Sequence, residues 1–515
     1  MTIIPERMKL PIVYVRGFAG DTSGINSVVK DPFYGFNEGS THVRIGADND
    51  PSFHQFESPL LRLHLDEGYK ILVEGSQDSY LETHEHIPPD SIWVHRFYDA
   101  SGTTWGGEDK PFRLEDAALD LMRLIDRLRK KTSAPRVHLV AHSMGGLICR
   151  CLVQKILPDL GRDPNDCVDK LFTYGTPHGG IAFDIGFGLL EKVRDAVGIN
   201  GADIFGPRRM YEYLTPKDDV DPDGPPESWS AREMPQGNGA FAKERVFCLV
   251  GTNPKDYEVA MGLSAAAVGA RSDGLVQIEK ARVPGAHTAF VHRSHSGRYG
   301  LVNSEEGYQN LRRFLFGDRK VEADLVSHQL PSEEGGVTWQ AEVQLSVRGL
   351  PIVMHERLAS HWCPIQLTGQ PPDRPDGATA DDGPDGAVPL TTVFLGSVLS
   401  RPHGSPAMRY ALHLRILSLR ERRGILLLGD HLEQAADFDD ILIVDVGTRQ
   451  SVPGIWAAWN SAIPGAIRDL DLSGEPLGDE DPRSHVWVAC IPLPRSAGPI
   501  LGENARIRLT VTPWS

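Results

Sequence analysis

Residues 137–146 read VHLVAHSMGG: an apolar run, a serine among small residues, and two glycines opening a second apolar stretch. Val137–Ala141 is predicted as a buried strand and Met144–Leu157 as a helix stopped by Pro158. Ser143 then falls at the sharp turn between them. A serine oxygen held clear of such a turn needs small residues two positions before and two after it, because strand and helix pass closely there. Ala141 and Gly145 supply them. The helix N-terminus beyond the turn adds free N–H groups and a positive dipole end, which favour developing negative charge. A serine capping a helix after a buried strand is common, but with flanking residues this small Ser143 reads as a nucleophile.

The same alternation extends on both sides. Ile12–Val15, Ile71–Val73, Ile92–Phe97, Phe172–Tyr174 and Val246–Val250 are short apolar runs bounded by turn residues, and so predicted strands. Phe112–Lys131 carries Leu114, Ala117, Ala118, Leu121, Leu124, Ile125 and Leu128 on one helical stripe, and Gly307–Phe316 is a second predicted helix. Strands alternating with helices imply a mostly parallel sheet covered on both faces. Two insertions interrupt the pattern. Residues 20–58 are rich in Gly, Asn, Asp and Phe; residues 181–240 open on an apolar helical stripe (Ile181, Ile185, Leu189, Val193, Val197) and pass into a Pro- and Asp-rich loop.

Beyond about Lys320 the period changes from helical to two. Val337–Arg348, Met408–Ile416 and Ala505–Thr512 alternate strictly, and Leu426–Leu428 and Ile441–Val446 read as core strands. These predict a β-sandwich over 321–515, interrupted by a Pro-, Asp- and Gly-rich flexible loop at 369–386. The expected organisation is a catalytic domain over 1–320 followed by an all-β domain.

The segment A-H-S-M-G-G (141–146) resembles the nucleophile elbow of the lipase/esterase branch of the α/β hydrolases, such as bacterial triacylglycerol lipases and GPI-inositol-deacylase-like proteins, with Ala141 where the first glycine is commoner. Two further stretches agree and stand in the same order. Tyr14–Gly20 (YVRGFAG) is similar to the V-H-G-F-G-G strand end before the oxyanion loop, with Arg16 in place of His. Gly175–Gly180 (GTPHGG) is similar to the G-T-P-H-x-G stretch after a later strand. The resemblance spans about residues 10–316 and implies the α/β-hydrolase fold. It also implies ester hydrolysis without a cofactor, and an oxyanion hole formed by the backbone N–H groups of Phe18 and Met144. A permanent cation at Arg16 must find a carboxylate or solvent.

The chain order in this fold is Ser, acid, His. Arg271–Val276 (RSDGLV) resembles the acid loop of such lipases and nominates Asp273, with Asp256 as its rival. The base must come later, from His287, His292 or His295. Similar lipases separate acid and base by a little over twenty residues. From Asp273 to His295 is 22 positions, against 19 for His292 and 14 for His287. With Ala286–Val291 as the last strand, His295 alone falls well inside the following loop, and His292 is the nearest alternative. His178 precedes the acid and reads as a brace for its own loop. Phe183 and Phe187, on the helix where this fold inserts its cap, and Trp105, in a glycine-flanked loop, are candidate substrate-pocket residues. His84 and His86 sit in a stretch that reads as solvated loop. Asp219, Asp221, Asp223 and Gly224 match the first half of a calcium loop, but Ser230 stands where the bidentate glutamate belongs and Pro226 interrupts the run, so an acidic surface loop is the plainer reading.

Composition removes other classes. A formal charge of −16 does not suit nucleic-acid binding, which needs clustered Lys and Arg. No apolar run reaches the ~18 residues of a membrane span. The N-terminal stretch has neither a basic start nor a cleavage site, which suggests a cytoplasmic protein. Six scattered cysteines lack disulfide or metal spacing and read as buried thiols. An ester or lipid molecule is the expected partner. The same triad also suits thioesters, amides or acyl transfer, and a non-catalytic binding protein on this fold is the remaining alternative.

Overall fold

The computed structural model describes residues 8–17, 35–45, 51–72, 76–95, 97, 113–181, 202–255, 271–331, 337–367, 386–399, 407–420, 436–447, 454–465, 475–480 and 486–515. The chain divides into two compact units, Met1–Thr288 with His292–Tyr308, and Ala289–Val291 with Gln309–Ser515.

Up to residue 316 the chain runs β1 (Ile12–Val15), β2 (Ser40–Ile45), β3 (Pro51–Phe56), α1 (Pro59–Glu67), β4 (Lys70–Ile71), α2 (Gln77–Thr83), β5 (Ser91–His95), α3 (Leu114–Thr132), β6 (Val137–His142), α4 (Met144–Cys151), β7 (Val168–Tyr174), α5 (Pro207–Leu214), β8 (Val246–Gly251), β9 (His287–Val291) and α6 (Glu305–Phe316). Seven strands form one sheet in the order β4-β5-β1-β6-β7-β8-β9. The pairs β4/β5, β5/β1, β1/β6, β6/β7 and β7/β8 are parallel. Strands β1, β5, β7 and β8 are buried along their whole length, as their unbroken apolar runs predict for a sheet covered on both faces. From β1 in the middle the chain passes to the edge strand β4, returns inward to β5, and then crosses β1 to continue outward with β6. That reversal of strand order opens a crevice at the carboxyl ends of β1 and β6, the ligand position in open α/β sheets.

Helix α3 buries the predicted stripe except Leu124, which is half-buried. Its acidic first turn (Glu115, Asp116) and basic last turn (Arg129, Lys130, Lys131) complement the helix dipole. Pro158 does not end the helix that follows the serine. After Cys151 the coil widens over Leu152–Ile156 to a π-type turn, with the Leu157 N–H bonded to the Leu152 carbonyl, and Pro158 sits inside the next turn. The wider turn relieves the clash of a proline ring with the carbonyl four residues back. Both insertions contain elements their composition hides: β2 and β3 pair as an antiparallel hairpin, and α5 buries Met210, Tyr211, Tyr213 and Leu214. The predicted helix after Ile181 and most of the loop at 369–386 lie outside the described residues, as does Leu426–Leu428.

The second unit is antiparallel. Its strands are β10 (Arg319–Val326), β11 (Val337–Val347), β12 (His355–Arg357), β13 (Ile365–Leu367), β14 (Val388–Leu395), β15 (Ala407–Arg420), β16 (Phe438–Gly447), β17 (Ile455–Trp459), β18 (Trp487–Pro492) and β19 (Arg506–Pro513). One sheet has the order β14-β10-β19-β18; the other is β12-β11-β15-β16-β17, with β13 also paired to β11. Leu325 and Leu509 of the first share a core with Leu345, Leu412 and Val444 of the second, which makes a β-sandwich. All six cysteines are free thiols; five are buried and Cys490 is partly so.

Candidate active site

The turn at Ser143 is strained. Its backbone has φ 54 and ψ −128, a region that residues with a Cβ rarely occupy and that costs on the order of 1–3 kcal/mol. The surroundings hold it there. The Ser143 N–H donates to the Tyr174 carbonyl at 2.9 Å, and the Ser143 carbonyl accepts from the Gly146 N–H at 3.0 Å and from Thr176 Oγ1 at 2.9 Å. The small residue two positions on has a visible reason. A Cβ at Gly145 would lie 2.3 Å from the carbonyl oxygens of both Val15 and Arg16, so α4 packs directly on the end of β1. Met144 opens α4, and its N–H belongs to the first turn, whose donors have no partner within the helix.

Three side chains meet at the carboxyl ends of the strands. Ser143 Oγ, after β6, lies 2.9 Å from His295 Nε2, after β9. His295 Nδ1 lies 2.8 Å from Asp273 Oδ2, on the loop after β8. The other carboxylate oxygen accepts the N–H groups of Leu275 (3.0 Å) and Val276 (2.8 Å), and the Asp273 carbonyl accepts the His295 N–H at 2.9 Å. An Nδ1–H donating to the carboxylate leaves Nε2 as the acceptor facing the serine hydroxyl, the tautomer that proton abstraction requires. All three residues are buried. Gly175, with φ 52, lies beneath the pair: a Cβ there would sit 2.9 Å from Asp273 Oδ2 and 3.1 Å from His295 Nδ1. Its positive φ and the lack of room both require glycine.

Other candidates fall elsewhere. His292 is exposed, with Nδ1 3.3 Å from Thr252 Oγ1. His287 opens β9 and its Nε2 faces the Glu244 carbonyl at 3.1 Å. His178 is buried with Nε2 3.2 Å from Thr173 Oγ1, and its carbonyl accepts from Arg150 at 3.2 Å. Burial, then the Arg150 and Arg232 cations, hold it well below the usual histidine range. His84 stacks on Tyr80, ring centroids 3.9 Å apart. Asp219, Asp221 and Asp223 are exposed, and Asp221 Oδ1 caps its own turn by accepting the Asp223 N–H. Arg16 is buried and lies over the Phe36 ring at 5.4 Å. Phe18, Trp105, Phe183, Phe187 and the rival acid Asp256 lie outside the described residues.

Two contributors were not legible from the motifs. Thr176, which clamps the serine carbonyl, lies inside the GTPHGG stretch, but nothing in that motif announces the contact. His142, beside the serine, points its Nε2 at the His295 carbonyl, 2.9 Å away.

This is the α/β-hydrolase fold. The strand order and the strained serine turn after β6 establish it. No protein-family model matches the chain, and no curated protein does. Among solved structures, lipase BlEst2 of Bacillus licheniformis in its mature form is 16% identical, with 61% of this chain and 94% of that one covered and a TM-score of 0.30. The product of gene lin2722 of Listeria innocua is 14% identical over 60% and 94%, TM-score 0.25. Aspergillus fumigatus lipase B is 9% identical over 59% and 53%, TM-score 0.27. At such scores the functional reading rests on the site itself. Among the described residues no helix is long and apolar enough to cross a membrane.

Buried histidines give the first unit a pH dependence. Burial lowers His95 to about 4 and His142 to about 3, and His178 lies well below 6.5. An unfolded chain takes up these protons near 6.5, whereas the folded one does so only at the lower values. Between those limits the unfolded state binds more protons, so stability falls as pH falls. At pH 5.5 each histidine is expected to cost on the order of 1 kcal/mol. Thermal unfolding followed at pH 7.5 and 5.5 checks this; an equal or higher transition temperature at 5.5 contradicts it.

Proposed function

We propose that this protein is a serine hydrolase that cleaves carboxylic esters, with lipid-like esters as the substrate class, through an acyl-serine intermediate. The observation that supports the reading is the continuous chain from Ser143 Oγ through the His295 imidazole to the Asp273 carboxylate, at 2.9 and 2.8 Å. In this scheme His295 Nε2 takes the Ser143 proton as Oγ attacks the ester carbonyl. Asp273 holds the imidazole in its tautomer and stabilises the cation that forms. The Met144 N–H, with that of Phe18 as second donor, receives the tetrahedral oxyanion. The protonated His295 then gives its proton to the leaving alcohol, and water, deprotonated by His295, releases the acid. No cofactor enters these steps.

A fluorophosphonate probe is expected to label the protein at Ser143 alone, located by peptide mapping. A panel of p-nitrophenyl esters of rising chain length, alongside thioesters and anilides, is expected to show ester turnover dominating. Absence of labelling removes the nucleophile; thioester or amide turnover exceeding ester turnover removes the substrate class.

A further inference from the structure

Beside the three residues above stands a fourth side chain that joins two of their supports. His142 ends β6, one residue before the nucleophile, and its ring is packed near that of His295, centroids 4.9 Å apart. Its Nε2 lies 2.9 Å from the backbone carbonyl of His295. A carbonyl only accepts, so Nε2 carries a proton and donates. Burial, followed by the neighbouring His295 and Arg16, lowers His142 to about 3, which keeps the ring neutral across ordinary pH. Two bonds hold His295 to the acid loop: its N–H donates to the Asp273 carbonyl, and its side chain reaches the Asp273 carboxylate. Both of those bonds lead to β8. Neither ties the imidazole to the strand that carries Ser143.

We infer that His142 is a positioning residue for the reaction, its Nε2–H fixing the backbone of His295 to the nucleophile strand and thereby setting the distance from His295 Nε2 to Ser143 Oγ. It touches neither substrate nor the reacting atoms. It acts through the base. The reason it matters is geometric: proton transfer and attack need the donor–acceptor pair within hydrogen-bond reach, and misplacement by about 1 Å can cost ~10²-fold. A peptide carbonyl held by one extra donor moves less than one left to its loop. The inference rests on the proposed triad, so its test must separate the two.

The comparison uses full-length wild type, His142→Phe, which keeps a flat ring but loses the donor, and His142→Gln, whose amide N–H reaches about as far as the imidazole Nε2. Fluorophosphonate labelling rate, kcat and KM on a p-nitrophenyl ester, and thermal unfolding are measured for each. His142→Phe is expected to lose about tenfold or more in labelling rate and kcat. Its KM stays within about twofold, because substrate binding is untouched. His142→Gln is expected to recover to within about threefold of wild type, since the bond is restored. Wild-type rates in the Phe variant overturn the inference, and so does a Gln variant as slow as Phe at the same unfolding temperature. Should the Phe variant not fold, His142→Asn, whose amide falls short of the carbonyl, replaces it against Gln; equal rates for Asn and Gln overturn the inference. A wild-type protein that takes no label defeats the triad reading itself.

Discussion

His295→Ala is expected to lower kcat/KM on an ester by ~10⁴-fold or more, while His292→Ala keeps at least about a tenth of it. The two histidines stand three positions apart on the same loop, and the difference between them is placement. His295 has its two ring nitrogens at 2.9 Å from the serine oxygen and 2.8 Å from the carboxylate. His292 is exposed and faces Thr252. Without the imidazole, Ser143 loses the group that takes its proton, and the buried Asp273 carboxylate loses the donor at 2.8 Å from Oδ2. Replacing His292 removes an exposed ring that faces Thr252, away from the serine. Steady-state kinetics on both variants, with unfolding temperatures to show that each is folded, decide the matter. The reverse ranking would transfer the base to His292.

The readable parts of this molecule are those where one local constraint decides. The small residue two positions after the serine is needed because α4 lies against the carbonyls of Val15 and Arg16, and Gly145, inside the motif, meets that need. The strand β9, His287–Val291, removes only His287 as a base aimed at another loop; the 22-position gap from Asp273 and a place deeper in the loop favour His295 over His292. The parts that stayed hidden depend on partners far away in sequence. Nothing in GTPHGG says that Gly175 will run beneath a carboxylate 98 residues later, or that Thr176 will hold the serine carbonyl. Pro158 misled for a related reason. A proline stops a regular helix, but a π-type turn before it removes the clash, and the widening leaves no mark in hydrophobic spacing. The period-two strands of the second unit were legible as alternation, and their sheet order was not, since register and neighbour choice are set by contacts across the two sheets.

Ser143→Ala and Ser143→Gly are expected to be equally inactive and unequally stable. Both remove the oxygen that lies 2.9 Å from His295 Nε2, and loss of a triad nucleophile costs ~10⁴-fold or more. Their backbones differ. At φ 54 and ψ −128 Ser143 lies in the mirror image of the extended region, which glycine occupies freely and residues with a Cβ do not. Alanine keeps the Cβ and so keeps the strain, which the bonds to Tyr174, Gly146 and Thr176 hold in place. Glycine releases about 1–3 kcal/mol of that strain. It returns roughly 0.5–1 kcal/mol to the greater freedom of the unfolded chain. The balance favours the glycine variant over the alanine variant by on the order of 1 kcal/mol, a rise of about 2–4 °C in the unfolding midpoint. Parallel melts and ester assays of the two variants test both halves. Alanine activity within tenfold of wild type, in protein free of other esterases, refutes Ser143 as nucleophile. A glycine variant no more stable than the alanine one refutes the stored strain, and with it the view that this fold gives up stability at the serine turn to hold its oxygen clear for attack.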